Sequence, residues 1–153
     1  MPNASTSFFG WVAFLLQKYG MLFLRGTGMT LLIALTGTAL GFVLGLLVAI
    51  IRTIALPEKK KAGSNAGVIV KRGLLRFVHM LMNVYIQVFR GTPMIVQAVV
   101  IYYGAQYAGV FMDTTFAAVF IISINTGAYM AEIIRGGIVS VDKGQFEAAH
   151  AIG

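Results

Sequence analysis

The chain has 153 residues, of which 58% are hydrophobic and 11% are charged, whereas a soluble domain typically has about 25% charged residues. This composition excludes an ordinary water-soluble enzyme. The formal net charge is +7, and the excess lies between residues 52 and 76, where seven basic residues accompany one acidic residue. The chain has no cysteine, which excludes a disulfide framework and a Cys-based metal site.

The first predicted element is an N-terminal interfacial helix. The segment from Phe8 to Leu16 is apolar but short, and no basic residue precedes it, which argues against a cleaved signal peptide. Trp11 and Tyr19 are residue types that favour the membrane–water interface. We therefore expect a helix that lies at the membrane surface before the first span.

The clearest membrane span is predicted at residues 27–51. No charged residue occurs from Gly26 to Ile51, and a helix needs about 20 apolar residues to cross the hydrocarbon core. A buried helix of a soluble protein would be shorter and would have a polar face. Small residues recur at every fourth position, so we expect another helix to pack there. They are Gly37, Gly41, Gly45 and Ala49.

A basic loop is predicted at residues 52–76. Its basic residues are Arg52, Lys59, Lys60, Lys61, Lys71, Arg72 and Arg76. Short loops rich in Lys and Arg stay on the cytoplasmic side, so the N-terminus is expected outside. Residues 62–67 have the composition of a linker. The lysine run 59–61 is interpreted as a topology signal in preference to a site for anionic membrane lipid, although basic clusters beside a span do attract such lipid.

Two further spans are predicted at 84–104 and 115–134, separated by a turn at Asp113. Pro93 should kink the earlier span or begin a new helix, because proline lacks an N–H donor and crowds the preceding turn. Arg90 lies close enough to the start of that span for its long side chain to reach the headgroups. Three crossings leave the tail after Val139 in the cytoplasm.

The last span carries a polar face. Asn125, Tyr129 and Glu132 follow i, i+4, i+7 spacing and share one side of a helix, and Thr126 adds a hydroxyl group nearby. Polar groups at that depth normally face a bundle interior or a water-filled cavity, so these four residues form a candidate translocation path for a polar solute. An alternative has equal weight: the polar residues bond to neighbouring helices, and Glu132 pairs with Arg135.

Features of an enzyme are not found in the sequence. It has no G-x-x-x-x-G-K-[ST] phosphate-binding loop, and His79 and His150 lack partners at metal-ligand spacing. The basic loop has no interleaved aromatic residues of the kind that bind nucleic acid. We expect no catalytic residue, metal site, cofactor site or nucleic-acid partner, so the energy for active transport would come from another protein.

The tail ends in a predicted helix over Gln145–Ile152, stopped by Gly153. The small side chains of its two adjacent alanines make the helix narrow at that point. Such a helix can enter a groove on another protein, with Phe146 and Ile152 as apolar anchors and Glu147 as an orienting charge.

Three blocks resemble a known family in the same order and spacing. Glu147-Ala-Ala-x-x-x-Gly153 resembles the first half of the EAA loop of ABC importer permease subunits. Phe89-Arg-Gly-Thr-Pro93 and Asn125-Thr-Gly-Ala-Tyr-Met-Ala-Glu-Ile-Ile-Arg-Gly-Gly-Ile138 are similar to blocks of the polar amino-acid branch, which moves glutamine, glutamate, histidine, arginine and opines. From near Gly26 to its last residue, the chain is identified as a member of this branch.

The resemblance implies an all-α integral membrane protein with an incomplete type I ABC importer transmembrane domain. It implies a bacterial cytoplasmic membrane, a cytoplasmic ATP-binding subunit, an extracytoplasmic substrate-binding protein and a second permease subunit, identical or homologous. Solute would move by alternating access. The residues that match the ATPase-docking motif of the coupling region, 139–153, are Glu147, Ala148, Ala149 and Gly153.

The sequence departs from the family pattern after Gly153, where the EAA loop normally continues to an Ile-x-Leu-Pro segment. Two explanations are open: a fragment of a longer permease or a truncated gene product. The competing hypothesis to a transport subunit is therefore a non-transporting membrane protein, such as a permease remnant or a scaffold. An integral membrane enzyme is a weaker third hypothesis, because the sequence shows no reactive constellation.

Overall fold

Five α-helices make up most of residues 7–54 and 66–153, the part of the chain that the computed structural model describes. They are α1 (Phe8–Thr53), α2 (Ala66–Gly91), α3 (Met94–Tyr107), α4 (Thr114–Val139) and α5 (Lys143–Ile152). No β-strand occurs in this part of the chain, so the predicted all-α fold is confirmed. Two helices, α1 and α4, are long and apolar enough to cross a membrane, and a third crossing is counted if α2 and α3 form one bent span.

The first helix continues without a break through the N-terminal segment. It has 46 residues, which corresponds to about 69 Å at 1.5 Å per residue and exceeds the ~30 Å hydrocarbon core. This corrects the expected separate interfacial helix at Phe8–Leu16. Neither a proline nor a turn sequence separates that segment from the first span, so nothing ends the helix before Thr53.

The glycine stripe of α1 packs against α4. A Cβ atom on Gly37 would lie 2.7 Å from a side-chain carbon of Ile122, and one on Gly45 would lie 2.5 Å from the Cβ of Met130. Hydrogen in place of a side chain lets the two backbones approach this closely. The predicted packing is confirmed and its partner is α4. Because the contacts advance along both helices in the same direction, Thr53 and Val139 lie at the same end of the pair.

The stretch predicted as the second span is divided between two helices. The helix direction bends by 111° between α2 and α3. The α3 helix begins after Pro93, whose extended backbone (φ −61°, ψ 134°) forms the cap. The Pro93 carbonyl oxygen accepts hydrogen bonds from the backbone of Val96 and Gln97, at 3.0 and 3.2 Å. Pro93 thus begins a new helix, which is one of the two outcomes expected from its missing N–H. The crossing predicted at 84–104 stays a prediction.

Half of the predicted basic loop is helical. Arg52 belongs to α1, and residues 66–76 form the first turns of α2. The lysine run 59–61 and most of the linker sequence 62–67 lie outside the described residues.

Aspartate caps set the starts of the last two helices. Asp113 Oδ2 accepts hydrogen bonds from the backbone N–H groups of Thr115 and Phe116, at 2.8 and 3.1 Å, and Asp142 Oδ1 accepts one from Gly144 at 2.6 Å. Such caps satisfy backbone donors that have no partner inside the helix. With Asp142 as the cap, α5 starts two residues before the predicted Gln145.

Candidate functional site

A buried amide lies at the break between α2 and α3. The Gln97 side chain is 7% exposed, and its Nε2 donates to the carbonyl oxygens of Phe89 and Thr92, both at 3.0 Å, and to Thr92 Oγ1 at 2.7 Å. A buried amide is destabilising unless it is hydrogen-bonded. Here the amide bonds to the last turn of α2 and to the residues between the helices, so it holds both sides of the bend.

Asn125 connects this break to α4. Its Nδ2 donates to Gln97 Oε1 at 2.9 Å and to the Phe89 carbonyl oxygen at 3.3 Å. One turn earlier on α2, the Tyr85 hydroxyl donates to the Ile124 carbonyl oxygen at 2.6 Å. Three helices therefore meet in one polar cluster, made of Tyr85, Phe89, Thr92, Gln97 and Asn125.

Tyr129 lies one turn beyond Asn125 on a more open side of α4. Its side chain is 43% exposed, and the Arg90 guanidinium lies over its ring, with Cζ 5.5 Å from the ring centroid. A guanidinium at that distance is attracted by the ring quadrupole. Long side chains on a helix point toward its N-terminus, which explains how Arg90, at the end of α2, reaches back to this ring.

Glu132 forms an ion-pair network at the end of α1. Its Oε2 accepts from Arg52 Nη1 at 2.6 Å, and its Oε1 accepts from Arg135 Nη2 and Nε at 2.7 and 3.2 Å. All three side chains are partly buried. The pairing with Arg135 is the one anticipated from i, i+3 spacing. The pairing with Arg52 is additional, and it holds the ends of α1 and α4 together.

The four predicted path residues therefore occupy different surroundings. Asn125 is in the polar cluster, Tyr129 is open, and Glu132 is in the ion-pair network. Thr126 packs against α1, because a Cβ on Gly41 would meet its Cβ at 2.7 Å. Thr126 thus faces α1, where it fills the space left by a glycine. The translocation path of these four residues stays a prediction.

The predicted docking residues are all exposed. Glu147, Ala148 and Ala149 lie on α5, and Gly153 follows it with φ +112°. The two expected anchors, Phe146 and Ile152, are 57% and 90% exposed. A short helix that leaves large apolar side chains in solvent has the character of a surface that another protein covers.

Comparison with known proteins assigns the family. The profile of the "Binding-protein-dependent transport system inner membrane component" family matches residues 63–153. The chain belongs to this family. It is therefore a multi-pass membrane protein whose relatives are permease components of ABC importers.

Two relatives of this chain are named as permease proteins of amino-acid transport systems. The chain is 36% identical over 142 residues to the putative glutamine transport system permease protein GlnP of Rickettsia prowazekii, covering 91% of this chain and 56% of that protein. It is 34% identical to the arginine transport system permease protein ArtQ of Bacillus subtilis, covering 85% of this chain and 51% of that protein. The chain thus spans about half the length of these curated relatives.

A solved structure shares the fold. The crystal structure of an amino acid ABC transporter with histidines superposes with a TM-score of 0.73 at 32% identity, covering 97% of this chain and 58% of that one. The permease fold implied by the resemblance is thereby shown.

The sequence alone does not identify Gln97 or the role of Arg52. Gln97 stands alone among apolar residues from Met94 to Ile101, and a single amide in such a run is a signal of a buried hydrogen-bonded site. The sequence predicts only a loop charge at Arg52, because its partner lies 80 positions away in the sequence.

Proposed function

We propose that the chain forms the membrane-embedded part of a permease subunit in an ATP-driven importer of polar amino acids. The observation that supports this most directly is the exposed α5, which carries the Glu147-Ala148-Ala149 motif and follows α4 after a turn of three residues. The proposed partner of α5 is a cytoplasmic ATP-binding subunit.

The contacts of α4 give a route from that partner to the membrane interior. Movement of α5 would pull on the end of α4, which the ion pair between Glu132 and Arg52 ties to α1. Further along, Asn125 ties α4 to the bend between α2 and α3. Packed helices move as rigid bodies, so a displacement of α4 would shift all three neighbours together. Such a shift is what alternating access requires.

Asn125 and Tyr129 are the residues we propose for the solute path. They lie on one face of α4, and the ring of Tyr129 remains accessible. Thr126 and Glu132 are proposed to flank that path and hold α4 to α1. A second permease subunit would supply the opposite wall, and an extracytoplasmic binding protein would deliver the solute.

The proposed location is the bacterial cytoplasmic membrane, with the N-terminus outside. The ends of α1 and α4 lie on one side of the molecule, so the basic loop and α5 share a compartment, and short basic loops stay in the cytoplasm. Labelling of cysteines placed at Lys59 and Gln145 by a membrane-impermeant thiol reagent should require permeabilised cells. Labelling of either position from the outside would contradict this orientation.

The function is tested on the complete transporter that contains this chain. Co-purification with its ATP-binding subunit, followed by reconstitution in liposomes, should give ATP-dependent accumulation of radiolabelled glutamine, glutamate, histidine or arginine when the binding protein is present. Membrane insertion without any ATP-dependent uptake would favour the scaffold hypothesis instead.

The path is tested by two variants in that assay. Asn125→Ala and Tyr129→Phe should each change the KM or the maximal rate of uptake, whereas Phe120→Leu, on the exposed apolar side of α4, should leave both unchanged. Uptake kinetics that match the wild type in both path variants would remove these residues from the path.

A further inference from the structure

The second helix carries a continuous polar stripe. At about 100° per residue, six residues between positions 72 and 90 fall within an arc of about 80°. Every residue of that arc is polar. They are Arg72, Arg76, His79, Asn83, Gln87 and Arg90.

The other two faces of α2 already have clear roles. Tyr85, Ile86 and Met82 form the packed face, where Ile86 and its neighbours join the buried core with Val48 and Ala131. The opposite face is apolar and exposed, as expected for contact with lipid. It consists of Leu74, Phe77, Met80, Leu81, Val84 and Val88.

The polar stripe lies between these two faces, and four of its six residues are exposed. The other two, Arg72 and His79, are partly buried, and His79 Nε2 lies 2.9 Å from the Ile51 carbonyl oxygen on α1. Arg76, Asn83, Gln87 and Arg90 are exposed in the single chain. Polar side chains on a membrane helix normally face a bundle interior or water, because hydrocarbon gives them no hydrogen-bond partners. The bend after Gly91 and the open ring of Tyr129 lie at the far end of the stripe, where Arg90 rests on that ring.

The stripe has only positive formal side-chain charges. It carries three arginines and no carboxylate, and within the described residues Arg90 takes part in no ion pair. Glu132, one turn from Tyr129 on α4, carries a carboxylate, but this carboxylate is already paired with two arginines. A planar guanidinium with free N–H groups matches the geometry of a carboxylate. The potential beside Gln87 and Arg90 should therefore be positive.

We infer that the stripe of α2 is the water-lined wall of the solute path and that Arg90 makes it select for the carboxylate group of the solute. This inference rests on the proposed transport function and adds a second helix and a charge preference to it. Its test does not depend on uptake, so the two can fail separately.

Cysteine labelling tests the wall. The chain has no cysteine, so Asn83→Cys and Gln87→Cys can each be the sole thiol of this subunit in the assembled transporter, with any cysteines of its partners removed. Both should react with water-soluble methanethiosulfonate reagents. Val84→Cys and Val88→Cys, the adjacent positions on the apolar face, should react at least tenfold more slowly. Equal reaction rates at the two faces, or no reaction at positions 83 and 87, would contradict the proposal that the stripe lines a water-filled path.

The charge preference is tested at Gln87→Cys with two reagents of similar size and opposite charge. The ratio of the rate with the anionic sulfonatoethyl reagent to the rate with the cationic trimethylammonioethyl reagent should be higher at this position than with free cysteine. Arg90→Gln should lower this ratio about three- to tenfold, as expected for removing one charge that lies about one helical turn away, where water and salt weaken its effect. Arg90→Lys should preserve it, and a ratio unchanged in Arg90→Gln would overturn the role of Arg90.

Discussion

Asn125 on α4 donates a hydrogen bond to the side-chain oxygen of Gln97 on α3 at 2.9 Å, and the amide nitrogen of Gln97 donates to the Phe89 carbonyl oxygen on α2 at 3.0 Å. One buried side chain therefore joins three helices at the place where the backbone turns by 111°. Backbone groups at membrane depth need such partners, because lipid cannot provide them.

The first prediction concerns the stability of this bend. Gln97→Leu should lower the free energy of unfolding by about 1–3 kcal/mol, because the substitution removes the donor to the Thr92 carbonyl oxygen and takes away the Gln97 oxygen that accepts from the part-buried Asn125 Nδ2. Thermal unfolding of the detergent-solubilised transporter, followed by its elution profile, measures the change. Gln106→Leu on the same helix is the control, since Gln106 forms no side-chain hydrogen bond within the described residues and should have little effect. Equal stability of the two variants would contradict the role given to Gln97.

The second prediction concerns the close approach of α1 and α4. Gly45→Ala should destabilise the pair by about 1–3 kcal/mol, the usual range for overpacking. Its Cβ would lie 2.9 Å from the backbone of both Ala131 and Gly127, and backbone atoms cannot move aside cheaply. Gly28→Ala, where nothing lies within 4 Å, is the matched control on the same helix. Alanine has the higher helix propensity, so Gly28→Ala should leave stability unchanged or raise it. An equal loss of stability at both glycines would contradict the packing explanation.

The sequence predicted the helices better than their breaks and junctions. Long apolar runs predicted α1 and α4, and small residues at every fourth position predicted the packed face of α1, because both signals depend on neighbours within one helix. The same reasoning divided α1 from its N-terminal segment, where no residue ends the helix. Hydropathy alone placed one span across Pro93 and could not give the angle of the bend, since the angle depends on the hydrogen bonds of Gln97.

Within the candidate site, local spacing was a partial guide. It placed Asn125 and Tyr129 on one face and paired Glu132 with Arg135, because those relations lie within two turns of a helix. Arg52 reaches Glu132 from 80 positions away, and Thr126 fills the space left by a glycine on another helix. Relations of that kind depend on which helices pack together, which one sequence does not show.

The third prediction concerns the ion-pair network at the end of α1. Glu132→Gln should lower the free energy of unfolding by about 1–2 kcal/mol, between the values for exposed and buried pairs, because it leaves Arg52 and Arg135 without a counter-charge. Once Arg52→Gln is present, Glu132→Gln should have a smaller effect, since the two residues act as a pair. Glu147→Gln, which removes an exposed carboxylate on α5, controls for the change in net charge. Full additivity of the two substitutions would show that the pair contributes nothing to stability.

The last prediction separates coupling from assembly. Gly153 has φ +112°, a conformation that residues with a Cβ adopt only with strain, and it follows the exposed helix that carries Glu147. Gly153→Asp adds both a side chain and a charge at that turn, so uptake should fall at least tenfold while the ATP-binding subunit still hydrolyses ATP. Gly137→Asp introduces the same side chain into open space in the last turn of α4 and should retain most of the uptake.

ATP hydrolysis and amino-acid uptake are measured on the same proteoliposomes, with assembly checked by co-purification. Normal uptake per ATP hydrolysed in Gly153→Asp would show that this turn does not take part in coupling, and a loss of the ATP-binding subunit during purification would place its role in assembly instead.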